Sequence, residues 1–378
     1  YPVSSRNEKD LFNLMSVYLD AVFDPLIYEK PEIFLQEGWH FEPGEAPGYN
    51  GVVYSEMKGA FADVDTLMQS ELSRLLYPDT SDGCVSGGHP EHIPELSWEQ
   101  FVATHRRFYH PSNARIFLDG HMQIDEILRY IDEEYLSKYD YRAPDFDFSV
   151  QKPTTGEKTI LYEAREGEET LAHMAAAKIL CSHKDVETIY AAKILADYLT
   201  GSNEAPLTRA FLERGLAQDV SLQIEDGVFQ PNLCFLARNT VPENFTKIRE
   251  TLAETARSLV QSGLDREALA ASLERFAFRR REISEPYGVT LALRALDGWL
   301  YGDDPLTHID STKIFDSLRD RLDSDYFPKL LQTMLADAGD KVYLYALPST
   351  SKGREDAQRE AARAQAQFAA LDGNAQQR

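Results

Sequence analysis

Gly51-Val-Val-Tyr-Ser-Glu-Met-Lys-Gly59 carries the pattern from which the fold of this chain is best read. Val53, Met57, Ala60, Val64 and Met68 recur through and beyond it at helical spacing. Glu56 falls between Val53 and Ala60, so that spacing sets its carboxylate on or beside the face the apolar residues bury. Burying a carboxylate is costly unless a charge or a metal compensates it. Spacing alone leaves two readings open. The commoner one is an ordinary helix glutamate at the edge of a solvated face. The other is a carboxylate with a cation to hold.

Working outward, the Pro/Gly-rich loop from Pro43 to Asn50 leads into this helix, and the aromatic run Gly38–Glu42 before it is predicted to be a strand. Ser5-Arg-Asn-Glu8 has the form of a capping box. It opens a helix with Leu11, Leu14, Met15, Tyr18, Leu19 and Val22 on one face, closed by Pro25. After Gly59, Tyr77–Pro94 is a long loop rich in Pro, Gly, Asp and Ser. Ser97-Trp-Glu-Gln100 caps a helix to Tyr109, Arg115–Leu118 is predicted as a strand, and Gln123–Lys138 as a helix. The stretch 141–158, with Pro144, Pro153 and Gly156, has the composition of a linker. This division gives a first domain over 1–140, a second over 159–348 and a tail over 349–378.

The second domain is predicted to open with strands at Thr159–Glu163 and Leu171–Cys181 and helices at Asp185–Leu199 and Pro206–Arg214. Val220–Ile224 and Leu233–Ala237 alternate as paired strands around an Asp226-Gly227 turn. A helix from Pro242 to Gln261 stops at Gly263, and further helices are broken at Pro286, Pro305 and Pro328. Lys341–Leu347 is a closing strand. The tail from Ser349 is rich in Ala, Gln, Glu and Arg, able to form a helix but with too few large apolar side chains for a core of its own.

The 378 residues suffice for two domains, and 43% hydrophobic with 27% charged residues is a soluble, globular composition. No apolar run of membrane-span length is read here, and Tyr1-Pro2 opens no leader pattern. The expectation is a cytoplasmic or other reducing soluble compartment, with no membrane partner. Sixty-two acidic against 39 basic residues leave a formal charge of −23. Such a surface repels nucleic acid and would accept a basic or unfolded peptide. Cys84, Cys181 and Cys234 are odd in number and far apart, with neither a disulfide framework nor metal spacing.

No self-contained catalytic set is present: no G-x-S-x-G elbow, phosphate loop, dinucleotide fingerprint or zinc-binding helix with two histidines. His89-Pro-Glu-His92 lacks the spacing that aims two imidazoles at one ion, and it lies in a loop. His105 fits a hydrogen-bonded structural histidine on its helix. Tyr109-His-Pro-Ser-Asn113 is a turn signal.

Tyr1–Asp10, Val17–Val22, Gln36–His40, Gly51–Gly59, Ser86-Gly-Gly88, Ile93-Pro94 and Tyr109–Asn113 fall in one order between residues 1 and 113. In that order they resemble the presequence-protease (falcilysin-like) branch of the pitrilysin/insulinase metallopeptidases. Beyond Lys158 the likeness rests on Ala205-Pro-Leu207 and Leu347-Pro-Ser349. The resemblance implies an α+β chain: two domains of the mitochondrial-processing-peptidase/insulinase-like metallohydrolase type. Each has a mostly antiparallel sheet with helices on one face, the first truncated at its N-terminus.

The resemblance also implies chemistry. The family binds zinc with H-x-x-E-H on one helix and a distal glutamate on another, and Glu56 stands where that distal glutamate falls. Two imidazoles and a carboxylate leave zinc a fourth position for water, with the glutamate of the motif as general base. The H-x-x-E-H helix is expected upstream of Tyr1, so no catalytic residue lies in this chain and zinc belongs to the full-length parent. The implied parent is a zinc metalloendopeptidase of unstructured peptides, with this piece inactive alone and 349–378 the start of a helical linker between halves. Its partners are peptide substrate and the remaining halves of the parent. An incomplete sheet would leave an exposed edge that invites dimerisation. Two other readings stand beside this one: a non-catalytic scaffold or assembly subunit of the same fold, and an acidic peptide-binding module without chemistry.

Overall fold

The computed structural model describes residues 1–373 apart from 43, 45, 145–147, 284 and 338. Part of the expected linker and the end of the tail therefore lie outside the described residues. Helix α1 (Glu8–Phe23) is capped by Asn7, whose side-chain oxygen accepts from the Asp10 amide at 3.1 Å. That start is later than the Ser5 capping box predicts, and Ser5 instead donates to the Asp10 carboxylate at 2.7 Å. After α2 (Pro31–Glu37), strands β1 (His40–Glu42) and β2 (Gly48–Asn50) form an antiparallel hairpin with Phe41 opposite Tyr49.

Helices α3 (Val52–Ala60) and α4 (Val64–Leu76) divide what the apolar spacing presents as one run. Asp63 makes the break, because its carboxylate accepts from the Thr66 amide at 3.0 Å and so starts a new helix. Val64 and Met68 thus face a different core from Tyr54 and Met57. Helix α5 (Trp98–Phe108) opens with both arms of the Ser97–Gln100 capping box formed. Arg115–Leu118 joins no strand: the segment has no regular secondary structure, and it is in neither sheet among the described residues. A strand is held by its ladder, and propensity alone does not make one. Helix α6 (Ile124–Glu134) packs Ile127 and Ile131 on Met15 of α1, with Leu11, Phe12 and Leu19 alongside. By length and composition alone, Glu8–Tyr28 is long and apolar enough to cross a membrane, which the sequence reading does not anticipate.

The larger sheet is built from β3 (Gly156–Glu163), β4 (Ala172–Ile179), β5 (Asp219–Glu225), β6 (Asn232–Thr240) and β7 (Val342–Ser349) in the order β3-β7-β4-β6-β5. Only the β3–β7 pair is parallel. Between β4 and β5 lie α7 (Val186–Thr200) and α8 (Pro206–Glu213). Between β6 and β7 lie α9 (Phe245–Ser262), α10 (Arg266–Arg281), α11 (Tyr287–Trp299), α12 (Leu306–Ile309), α13 (Thr312–Asp320) and α14 (Tyr326–Leu331). Pro286 and Pro305 stand just before α11 and α12, as expected of breakers. Pro328 instead lies in the first turn of α14, where a missing N–H costs nothing. Helix α15 (Lys352–Ala370) follows β7.

The architecture is α+β. Helices α7–α10, α13 and α14 pack on one face of this sheet, as expected, and a helix from earlier in the chain covers the other. Met174 and Ala176 of β4 meet the α7 side, where Ile189, Ile194, Leu195 and Leu199 join Phe211 and Phe235 in the main core. Ala175, Ala177, Val342, Leu344 and Ala346 point the other way and are covered by Met68, Leu72, Leu76 and Tyr77 of and just after α4. The sheet is therefore sandwiched, its second face closed by a helix that precedes it in the chain. The unbroken burial of Ala172–Ala177 is the mark of a strand packed on both sides. Gln151 seals the seam: it is buried, bonds both ways with Asp79, and exchanges hydrogen bonds with Gln230.

Candidate functional site

Helix α3 is set in place by the residue just before it, its N-cap. Gly51 has φ +138°, and a Cβ there would stand 2.4 Å from the Gly38 carbonyl oxygen and 2.7 Å from the Trp39 Cα. Only glycine allows that approach. The contact lets the Tyr54 amide donate to the Gly38 carbonyl at 3.2 Å. Tyr54 is buried against Tyr49, ring centroids 5.7 Å apart, with Trp39, Phe41, Met57 and Ile93 around them. Gly87 has no Cβ because the Met57 sulfur occupies that place, 2.5 Å from where it would be. Four of the sequence stretches quoted above thus meet in one aromatic cluster: 36–40, 51–59, 86–88 and 93–94.

Glu56 stands on the opposite side of α3. Its side chain is exposed, beside the exposed Val52 and Val53, and it makes no hydrogen bond or ion pair among the described residues. This corrects the half-buried placement that the spacing predicts, and agrees with the commoner reading of Glu56 as a helix glutamate on a solvated face. Tyr54 and Met57 set the inward face, Val53 turns out, and the carboxylate has no burial cost to offset. The reason is the Asp63 break, which removes Val64 and Met68 from the pattern that made Glu56 look half-buried.

The histidines do not gather around it. His89 packs edge-on to Phe61 at 4.7 Å, and its Nδ1 accepts from the Glu91 amide at 3.2 Å. Burial holds its pKa below the ordinary histidine value. His92 Nδ1 lies 3.1 Å from Glu95. His105 bonds Tyr28 at 2.6 Å and stacks on Tyr109, the structural role expected of it, and burial again lowers its pKa. His110 accepts from the Ser112 amide in the predicted turn. Among the described residues, no group of three or more His, Cys, Asp or Glu is arranged to hold a metal. One carboxylate oxygen donor without an imidazole is not a zinc site, so these residues by themselves do not fit zinc.

The sequence leaves the tail open to a helix, and what sequence reasoning misses is that this helix, α15, packs on the aromatic cluster. Ala364 is fully buried against Tyr49, Tyr54 and Ile93. Gln367 accepts from the Tyr49 hydroxyl at 2.5 Å, Phe368 meets Phe41 at 5.4 Å, and Glu360 pairs with Lys58 at 2.8 Å. Burial, then a hydrogen bond to Glu360, raises the Tyr54 phenol above its ordinary pKa. The signal was present in the spacing of 360, 364, 367 and 368, which puts them on one helix face.

Comparison with known proteins places this geometry. The family model described as the Peptidase M16 inactive domain matches residues 95–276. Protein HypA of Clostridium perfringens is 37% identical over 342 residues, covering 88% of this chain and 35% of that protein. The chain belongs to the M16 peptidase family. Presequence protease 1 of Arabidopsis thaliana, a chloroplastic and mitochondrial protein, is 32% identical over 374 residues, covering 94% of the M16 chain and 34% of that protein. The M16 chain therefore spans about a third of the length of the curated relatives it matches. Its fold is also that of the first half of the periplasmic protease PqqL from Escherichia coli (TM-score 0.63, 12% identity, 98% of this chain and 77% of that one). A protease from Helicobacter pylori shares it as well (TM-score 0.63, 14% identity, 79% and 70%). At such identities the likeness is one of fold alone.

Proposed function

We propose that this chain is part of a longer zinc metalloendopeptidase that cleaves unstructured peptides, and that within it Glu56 supplies one zinc ligand while the chain alone is inactive. In this reading residues 1–140 belong to the zinc-bearing domain, 159–348 to a non-catalytic domain, and 349–378 begin the connection to the other half. The observation that carries it is Glu56 itself: an exposed carboxylate with no hydrogen-bond or ion-pair partner among the described residues, on a helix whose other face is packed into the aromatic cluster. A side chain so placed can be donated to a site completed from elsewhere. The names of the relatives, presequence proteases, support peptide hydrolysis as the parent activity.

Zinc content and hydrolysis of an unstructured peptide, measured on this chain, test the first part. Stoichiometric zinc with turnover would overturn it. Glu56→Gln in the longer protein tests the second, with loss of zinc and activity expected. Unchanged zinc content there removes Glu56 from the ligand role. A non-catalytic scaffold of the same fold is the second reading. It is favoured by the description of the matched family model as an inactive domain, and peptidase activity in the longer protein would exclude it.

A further inference from the structure

Helix α15 joins two parts of the molecule. Only Thr350 and Ser351 separate it from β7, which lies inside the larger sheet between β3 and β4. Its first turn lies against β3, where a Cβ on Gly353 would meet the Glu163 carboxylate. Further along, one face at i, i+4, i+7 and i+8 meets the cluster behind α3. Glu360 pairs with Lys58 of α3, Ala364 is enclosed by Tyr49, Tyr54 and Ile93, Gln367 accepts a hydrogen bond from the Tyr49 hydroxyl, and Phe368 packs on Phe41. Arg363 adds the Glu91 carbonyl and the Glu95 carboxylate, the latter at 2.9 Å, which ties down the loop before α5. A small residue at 364 lets the backbone of α15 approach the tyrosines, and a larger or charged one would lift it off.

We propose that α15 is a positioning element for α3: the face of Glu360, Ala364, Gln367 and Phe368 sets where Glu56 stands and links that position to the larger sheet through β7. The proposal rests on the reading of Glu56 as a ligand for its functional meaning. The mechanical link can be measured without it. Among the described residues Glu56 makes no hydrogen bond or ion pair with α15, so the four residues are positioning residues that act through Phe41, Tyr49, Tyr54 and Lys58.

The test uses the whole chain. Spin labels at positions 56 (Glu56→Cys) and 254 (Glu254→Cys, exposed on α9), with Cys84→Ser, report the distance distribution between α3 and the larger domain. Hydrogen exchange of α3 is read in parallel without labels, with α7 as internal reference. Ala364→Glu should broaden the distribution and speed α3 exchange about tenfold while α7 is unchanged. Gln367→Ala with Phe368→Ala should do the same several-fold less. If Ala364→Glu unfolds the chain, the milder double variant decides. A distribution as narrow as wild type, with α3 exchange within about twofold, overturns the proposal. Zinc content of Glu56→Gln in the longer protein reports separately on the ligand role. A broadened distribution with zinc content unchanged leaves the link standing and removes the ligand. Loss of zinc with an unbroadened distribution does the reverse.

Discussion

Gly51→Ala is the sharpest perturbation of the candidate site. Gly51 has φ +138° and ψ 152°, a region open in practice to glycine alone. Holding alanine there costs on the order of 1–3 kcal/mol. The added methyl also meets backbone on both sides, 2.4 Å from the Gly38 oxygen and 2.7 Å from the Trp39 Cα, and neither can swing away as a side-chain tip would. Displacing packed backbone adds roughly another 1–3 kcal/mol. The two effects give about 2–6 kcal/mol, a large part of the 5–15 kcal/mol that holds an ordinary domain together. The damage should start where α3 leans on Gly38, through the Tyr54 amide bond of 3.2 Å. Gly59→Ala is the control: Gly59 is exposed in the same helix with nothing within 4 Å of an added Cβ, so it should stabilise by about 0.4–1 kcal/mol. Urea unfolding followed by tryptophan fluorescence, with Trp39 in the cluster, measures both. The reasoning fails if Gly51→Ala unfolds within about 0.5 kcal/mol of wild type, or if Gly59→Ala is equally damaging.

Lys341 is buried, with its ammonium donating to the Leu335 and Asp337 carbonyls at 2.7 and 2.6 Å, and burial pulls its pKa down to about 8. A lysine lowered in the folded state contributes stability that is present above its unfolded value and lost as pH falls through the folded one. The stability difference between wild type and Lys341→Met should therefore shift toward wild type as pH rises from about 8 to about 10.5, read by denaturation across that range. Asp297 runs the opposite way: burial, then Asp226, raises it to about 6, so its stabilising contribution is complete below its ordinary value of 3.8 and gone above about 6. Asp297→Asn should gain on wild type as pH rises through that window, and a flat difference would refute the shift. Cys181 and Cys234 are pushed up to about 12 by burial, whereas Cys84 is exposed. A thiol reagent at neutral pH should label Cys84 first, and equal labelling of all three would contradict the packing.

The second domain is largely legible in local pattern. Alternation marks β5 and β6, an acidic cap and apolar run mark α7, and Gly263 closes α9 in the left-handed region that favours glycine. The first region is less so, because its elements are short and their partners distant. Arg115–Leu118 has strand composition and no ladder. Val53–Met68 has helical spacing and two helices, since one Asp63 side chain outweighs the period. For the candidate site, the glycines and aromatics around Glu56 are visible as motifs, but the side of α3 on which the carboxylate stands is not.

Sequence alone determines the family likeness, the α+β class, the Ser97–Gln100 cap and most helix ends, the last two because they rest on contacts between residues a few positions apart. It also singles out Glu56, through the motif that surrounds it. Tertiary structure alone decides that α4 closes the second face of a sheet formed later in the chain, that Glu56 faces outward, and that the Ala-rich tail is a packed helix. That tail shows the physical reason most plainly. Its apolar side chains are too few to bury one another, yet Ala364 is fully enclosed, because Tyr49 and Tyr54, three hundred residues earlier, supply the core it lacks.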